Sequence, residues 1–252
     1  MATLGKGEKK IWLDNLYIYE AASEVLGAKI KLVKSEYDRV YKPYGYSSIQ
    51  KISERIKDVD SIAGKLEKDG YEFSKENIDT HIHDVVGHRV VCLTLTDLAA
   101  FAKIFSESVY NTEAFTLLGY KDFISRPKPS GYRSLHLRLE VPVTFSNEHH
   151  DVVCEVQLRT SNMEAWAQIE HKSGYKPAFG SQEMLAQQLL AYSSMGDGVD
   201  KMVSSLMLPS GEIVTYSDVV NNIKQLVIDS NSDKDIEENE NGIVAKQKKM
   251  TR

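Results

Sequence analysis

Cysteine is scarce in this chain. Cys92 and Cys154 are the only two in 252 residues, and both sit in apolar, strand-like runs. Such thiols read as buried groups of a reducing compartment, and they exclude a disulfide framework. His81, His83 and His88 lie close together, yet no further Cys or His cluster follows to complete a zinc site. No apolar run approaches the roughly 18 residues of a membrane span. Lys6, Glu8, Lys9 and Lys10 leave the N-terminus without the apolar core of a signal peptide. These absences predict a cytoplasmic protein with no membrane partner. Excess positive charge is lacking too. With 31 Lys and Arg against 36 Asp and Glu, the net charge is −5, which excludes a broad grip on nucleic acid and leaves room only for a local basic patch. There is no Gly-x-x-x-x-Gly-Lys-Ser/Thr loop and no Gly-x-Ser-x-Gly elbow, so neither a P-loop enzyme nor a hydrolase of that type is indicated.

What is present is ordinary in bulk, with 42% hydrophobic and 27% charged residues, enough for a sizeable core. The informative stretch is Lys128-Pro-Ser-Gly-Tyr-Arg-Ser-Leu-His136. Pro129, Ser130 and Gly131 are turn formers. Leu135, Leu137 and Leu139 then alternate with His136, Arg138 and Glu140, the period of a half-buried strand. Lys128, Tyr132, Arg133 and His136 are thereby presented at the mouth of a sheet. An aromatic ring between cations suits a planar base carrying phosphates. A hairpin corner with a packed Tyr and solvated cations would look the same.

Taken in order, residues 10–42 read as helical, with Ile11, Leu16, Tyr19, Val25, Leu26 and Leu32 as an imperfect apolar face interrupted near Gly27. A Lys-Pro-Tyr-Gly run at 42–45 breaks it. A second helix is expected over 49–68, because Ile52, Ile56, Val59, Ile62 and Leu66 recur every three or four residues. Arg55, Lys57, Ser61, Lys65 and Lys68 lie off that stripe, either as a solvated face or as a surface for a polyphosphate. After His83 and Asp84, Gly87 permits a close backbone approach, and Val90 to Leu93 form a central strand. A carboxylate such as Asp84 among cations suits a magnesium ion carrying nucleotide phosphates, or caps a helix or pairs with an arginine. Thr96 or Asp97 caps a helix to about Val109, and a strand covers 114–118. Residues 146–150 form a polar turn that puts His149 and His150 at the surface. Along 152–160, Glu155, Gln157 and Arg159 share one strand face, which marks either a solvated side or the floor of a polar site. Helices follow over 161–173, from Gly180 or Ser181 to Met207 (Met184, Leu185, Leu189, Tyr192, Val199 and Met202 inward), and over 217–227. From Ser230 the acidic, Asn-rich sequence reads as a disordered tail.

Four stretches resemble the synthetase domain of RelA/SpoT homologues in its small, single-domain alarmone synthetase form. They are Arg55-Ile-Lys57-(x3)-Ser61-(x3)-Lys65, His83-Asp84-(x2)-Gly87-x-Arg89, Lys128 to His136, and Glu155-Val-Gln157-Leu-Arg159-Thr160. Glu170-His171-(x3)-Tyr175-Lys176 closes the set. The resemblance covers about residues 45–180, between an N-terminal helical segment (1–44) and C-terminal helices (181–229) with the tail (230–252). It implies an α/β (α+β) fold, a mixed β-sheet flanked by helices and related to nucleotidyltransferases. It also implies transfer of pyrophosphate from ATP to the 3′-hydroxyl of GDP or GTP, giving AMP and the alarmone ppGpp or pppGpp, with Mg2+ as cofactor. By the same resemblance Arg55 and Arg89 sandwich adenine, while Lys57, Ser61 and Lys65 contact ATP phosphates. Asp84 is the main magnesium ligand and Tyr132 stacks on the acceptor guanine. Glu155 activates the hydroxyl or helps hold the metal, and Lys128, Gln157, Arg159 and His171 line the acceptor site. Glu164 departs from the pattern, standing where many small synthetases carry an Asn or Asp that helps hold the acceptor base.

Two other functions fit the sequence. One is a toxic relative that pyrophosphorylates the 3′ end of tRNA, for which Lys29, Lys31 and Lys34 would supply part of a basic patch. The other is an inactive module that senses nucleotides or binds a partner. The amphipathic C-terminal helices would serve a homo-oligomer, an antitoxin-like protein partner or the monomer's own core.

Overall fold

The computed structural model describes residues 5–41, 48–112, 114–173, 182–206 and 215–246. Its centre is a seven-stranded mixed sheet. The strands are β1 (Ile49–Ile56), β2 (Val86–Cys92), β3 (Thr116–Asp122), β4 (Leu135–Thr144), β5 (His149–Thr160), β6 (Ile236–Asn239) and β7 (Gly242–Ala245). Their order is β1-β2-β5-β4-β3-β7-β6, and the β2–β5 pair is parallel while every other neighbour is antiparallel.

Alternation along these strands sorts the sheet into two faces. Val86, Val90 and Cys92 of β2, Cys154, Val156 and Leu158 of β5, and Leu135, Leu137 and Leu139 of β4 form a buried apolar face. Helices α1 (Lys6–Tyr41), α4 (Leu95–Thr112) and α7 (Tyr216–Ser230) pack on it. The 36-residue α1 runs without a break. Its inward row is Trp12, Tyr19, Ala22, Leu26, Ile30, Val33 and Tyr37, all buried, whereas Val25 and Leu32 are exposed. Gly27 is not an interruption. It lies where the helix meets the sheet, and a Cβ there would stand 3.2 Å from the His88 ring and 3.3 Å from a Glu54 oxygen.

Three expectations are overturned by packing. Residues 49–56 form a strand rather than the first half of a helix. A register shift between Ile49 and Lys51 lets Ile49, Ile52 and Ile56 face Cys92, Val90 and Val86 on the same side, so a bulged edge strand imitates helical spacing. The helical part is only α2 (Val59–Lys68), capped by the Asp58 carboxylate, which accepts from the N–H groups of Asp60 and Ser61. The short helix α3 (Lys75–His81) follows.

The second concerns α4, which is capped by Thr94 rather than by Thr96 or Asp97. Thr94 and Asp97 exchange hydrogen bonds as a capping box. α5 (Ser161–Ser173) buries Met163 and Trp166, while α6 (Gln182–Leu206) half-buries Leu185, Leu189 and Tyr192 of its expected face and turns polar groups fully inward. Ser193 and Asp200 are buried there, while Met184, Val199 and Met202 stay exposed.

The third is the tail. Residues 236–245 fold into the β6–β7 hairpin, which pairs with β3 at Gly119 and Val244. Gly119 is required at that contact, since a Cβ would lie 2.3 Å from the Ile243 carbonyl. Asn231, wholly buried, anchors the hairpin's entry by donating to the carbonyls of Leu117 and Val227.

Candidate active site

The other face of the sheet is polar. In register across it stand Arg55 of β1, Gly87 of β2, Glu155 of β5 and Arg138 of β4. The next row holds Ser53, Arg89, Gln157, His136 and Lys121. A cavity of about 200 Å³ opens here, with Ser53, Arg55, Asp84, Arg89, Glu155 and Gln157 among its walls.

One half of this face is built from ion pairs around Asp84. Lys57 donates to one of its oxygens at 2.5 Å, and Lys65 approaches the other at 3.5 Å. Lys57 follows the end of β1, Lys65 projects from α2, and Asp84 sits just before β2. Burial pushes the Asp84 carboxyl up, but the Lys57 hydrogen bond and the charges of Lys57 and Lys65 outweigh it and hold the group below its usual range. Arg55 lies over Gly87, its partner across the β1–β2 ladder. Ser61 is exposed in the first turn of α2, one turn before Lys65.

The other half is a closed ring of hydrogen bonds. Arg159 donates to the Tyr132 hydroxyl at 2.8 Å and to the Gln157 carbonyl oxygen at 2.9 Å. Gln157 donates to Glu155 at 2.8 Å. Tyr132 meets His136 Nε2 at 2.8 Å, and His136 Nδ1 meets the second Glu155 oxygen at 3.1 Å. Burial pushes the Glu155 carboxyl up. The His136 hydrogen bond and charge, the Gln157 hydrogen bond and the Arg138 charge together hold it down at about 2.

The Tyr132 ring is fixed from several sides. Lys128 Nζ lies 4.9 Å from its centroid and 4.8 Å from that of Phe123, and the Arg159 guanidinium lies at 5.1 Å. Trp166 meets it edge-on at 6.2 Å. The loop that carries it closes with the Gly131 N–H donating to the Lys128 carbonyl at 2.8 Å. Gly131 adopts φ +93°, which only glycine takes without strain. Arg133 does not face the cavity: it donates to the Ile124 carbonyl and pairs with Asp197 of α6, tying the loop down.

Glu164 joins the two halves. Its buried carboxylate accepts from Arg89 at 3.0 Å and from Arg159 at 2.8 Å, so the departure from the family pattern is an ion-pair bridge.

Of the residues expected from sequence, Arg55, Asp84, Arg89, Glu155 and Gln157 line one cavity. Lys57, Lys65, Lys128, Tyr132 and Arg159 join through the contacts above. His171 is exposed in the last turn of α5 and is not among the cavity walls. Tyr175 and Lys176 lie outside the described residues. The sequence reading assigned no role to His136 within the ring, nor to Lys121 and Arg138. Their signal was their place opposite Leu135, Leu137 and Leu139 in the β4 alternation, and in β3 beside it.

Residues 54–179 match the profile of a region found in RelA / SpoT proteins. The GTP pyrophosphokinase YwaC of Bacillus subtilis is 34% identical over 165 residues, 66% of this chain and 75% of that protein. The GTP pyrophosphokinase YjbM of the same organism is 32% identical over 200 residues, 79% of this chain and 90% of that protein. Among solved structures, small alarmone synthetase 1 from Bacillus subtilis bound to its product pppGpp superposes with a TM-score of 0.64 at 29% identity, covering 78% of this chain and 96% of that one.

Proposed function

We propose that this chain, which belongs to the RelA/SpoT family, transfers the β,γ-pyrophosphate of ATP to the 3′-hydroxyl of GDP or GTP, yielding AMP and ppGpp or pppGpp. The observation that carries this reading is the meeting, on one sheet face, of a lysine-bound carboxylate at Asp84 with a second carboxylate at Glu155 tied to the Tyr132 ring.

ATP is held by its base between Arg55 and Arg89, and by its phosphates at Lys57, Ser61 and Lys65. The acceptor base stacks on Tyr132, with Lys128 at its edge. Lys128, Gln157, Arg159 and, from the resemblance, His171 line its surroundings. Phosphoryl-type transfer is catalysed mainly by positioning and charge neutralisation, and this face offers both. Asp84 and Glu155 sense each other's charge, and two carboxylates with nucleotide phosphates are a donor set that suits Mg2+. When bound there, the ion would neutralise polyphosphate charge. Glu155, held ionised by His136 and Gln157, orients the 3′-hydroxyl and accepts its hydrogen bond. It takes the hydroxyl proton as the bond to phosphorus forms and passes it on to water.

The tRNA reading gains little support. Lys29, Lys31 and Lys34 belong to α1, which packs on the opposite face of the sheet. Lys29 is tied to the Ser108 carbonyl and Lys34 to Asp38. No described helix is long and apolar enough to cross a membrane, and we place the reaction in the cytoplasm, where these nucleotides are found.

The test is a transfer assay with γ-labelled ATP and magnesium, with GDP, GTP, ATP and deacylated tRNA as parallel acceptors. Label in ppGpp or pppGpp is the expected result. Label on tRNA alone would keep the chemistry and overturn the acceptor.

A further inference from the structure

Five cations of the site have a partner in the protein. Lys57 and Lys65 hold Asp84, Arg89 and Arg159 hold Glu164, and Lys128 rests on two rings. Arg55, Lys121 and Arg138 form no hydrogen bond or ion pair among the described residues, and of these Arg138 alone stands directly opposite Glu155. The two Glu155 oxygens are already engaged by Gln157 and His136. Arg138 shares a small cavity with Lys121, His136 and Glu155, and the charges of Glu155 and Asp84 both act on it. Half-buried near these carboxylates but bonded to neither, its guanidinium keeps its donors free for an anion. Glu155 is a wall both of this small cavity and of the larger one that holds Asp84, Arg55 and Arg89, so the two adjoin at its carboxylate.

We infer that Arg138 is a catalytic residue, its planar fork taking non-bridging oxygens of the pyrophosphoryl group as it moves. The inference rests on the pyrophosphokinase reading. In that step the acceptor 3′-oxygen bonds to the β-phosphorus of ATP. The bond from that phosphorus to the oxygen bridging to the α-phosphorus breaks. AMP leaves with the bridging oxygen and the electron pair, and the hydroxyl proton passes by way of Glu155 to water. Charge on the transferred group is spread over oxygens that a rigid two-pronged donor matches. Arg138 therefore acts most strongly in the transition state.

Steady-state kinetics of Arg138→Met and Arg138→Lys, beside the wild type, test this. The Met variant should lower kcat by about 10²- to 10³-fold while the KM values for ATP and GDP move by less than about threefold. The Lys variant should recover part of the loss. The nucleotide-free melting temperature of Arg138→Met should not fall, because an unpaired charge has been removed. A raised KM for either substrate with kcat preserved would make Arg138 a ground-state phosphate holder and overturn the inference. So would an unchanged kcat, or a fall in melting temperature that accounts for the lost activity. If the wild type itself transfers nothing, the pyrophosphokinase reading fails. If the wild type transfers and the variant matches it, only the role of Arg138 fails.

Discussion

The two halves of the polar face are assembled on opposite principles. Around Asp84, Lys57 and Lys65 are held by a carboxylate, which on the proposed reading they exchange for phosphate when a nucleotide enters. Around Glu155, five side chains satisfy one another in a ring that needs no ligand to close. On the proposed assignment, the donor half is a set of replaceable ion pairs, while the acceptor half is pre-organised. Such a division fits a reaction in which the polyanion is the mobile partner and the hydroxyl must be aimed. Glu164 is the only bridge between the halves described above, with a guanidinium from each.

The comparison can be broken at its centre first. Asp84→Asn leaves Lys57 and Lys65 without a carboxylate and removes a candidate metal ligand. Transfer should drop by about 10³-fold or more in a labelled-ATP assay, since the charged anchor of the donor half is gone. Glu155→Gln keeps the ring's shape but removes the charge that orients the hydroxyl. The expected loss in kcat is about 10²- to 10³-fold, with nucleotide binding retained in titration calorimetry.

Tyr132→Ala sharpens the division instead. The KM for GDP should rise by about tenfold or more, as expected for loss of a stacked base, while the KM for ATP stays unchanged. Equal effects on both would dissolve the two-half picture.

The smallest effect is on stability. Because the folded Glu155 carboxyl is depressed to about 2, its stabilising contribution is complete above the ordinary glutamate range near pH ~4.3 and is lost as pH falls from there toward 2. The stability advantage of the wild type over Glu155→Gln, followed by circular dichroism, should therefore be full above pH ~4.3 and shrink as pH falls toward 2.

The sequence made the alternation of β4 and β5 legible because both strands have one buried face and one polar face. Period two then reports burial directly, and Glu155, Gln157 and Arg159 share a face as read. The same logic misled at β1, where a bulge shifts the apolar spacing to three and four and imitates a helix. It misled again at α6, whose inward face is Ser193 and Asp200 rather than methionines. Asp200 is buried because Thr160 and Asn162 donate to it, a partnership that no local pattern announces. The β6–β7 hairpin escaped because strands of four residues, one polar at three positions and the other at none, carry too little periodicity. Backbone pairing at Gly119 docks it, and backbone pairing leaves no trace in composition. The ring itself links residues from 132 to 159 through geometry that only the register supplies. The donor cluster, by contrast, was readable as a cation series with one acid.

The hairpin has a consequence for how copies of the molecule meet. By covering β3 it moves the free edge of the sheet to β6, a strand of four residues that carries Glu237 and Glu238. The opposite edge, β1, is bulged and carries Lys51, Glu54 and Arg55. Short, irregular and charged borders are poor templates for another strand. At high concentration such a sheet resists growing into a neighbour's, so contacts between copies would form through helices, not through a shared ladder of strands.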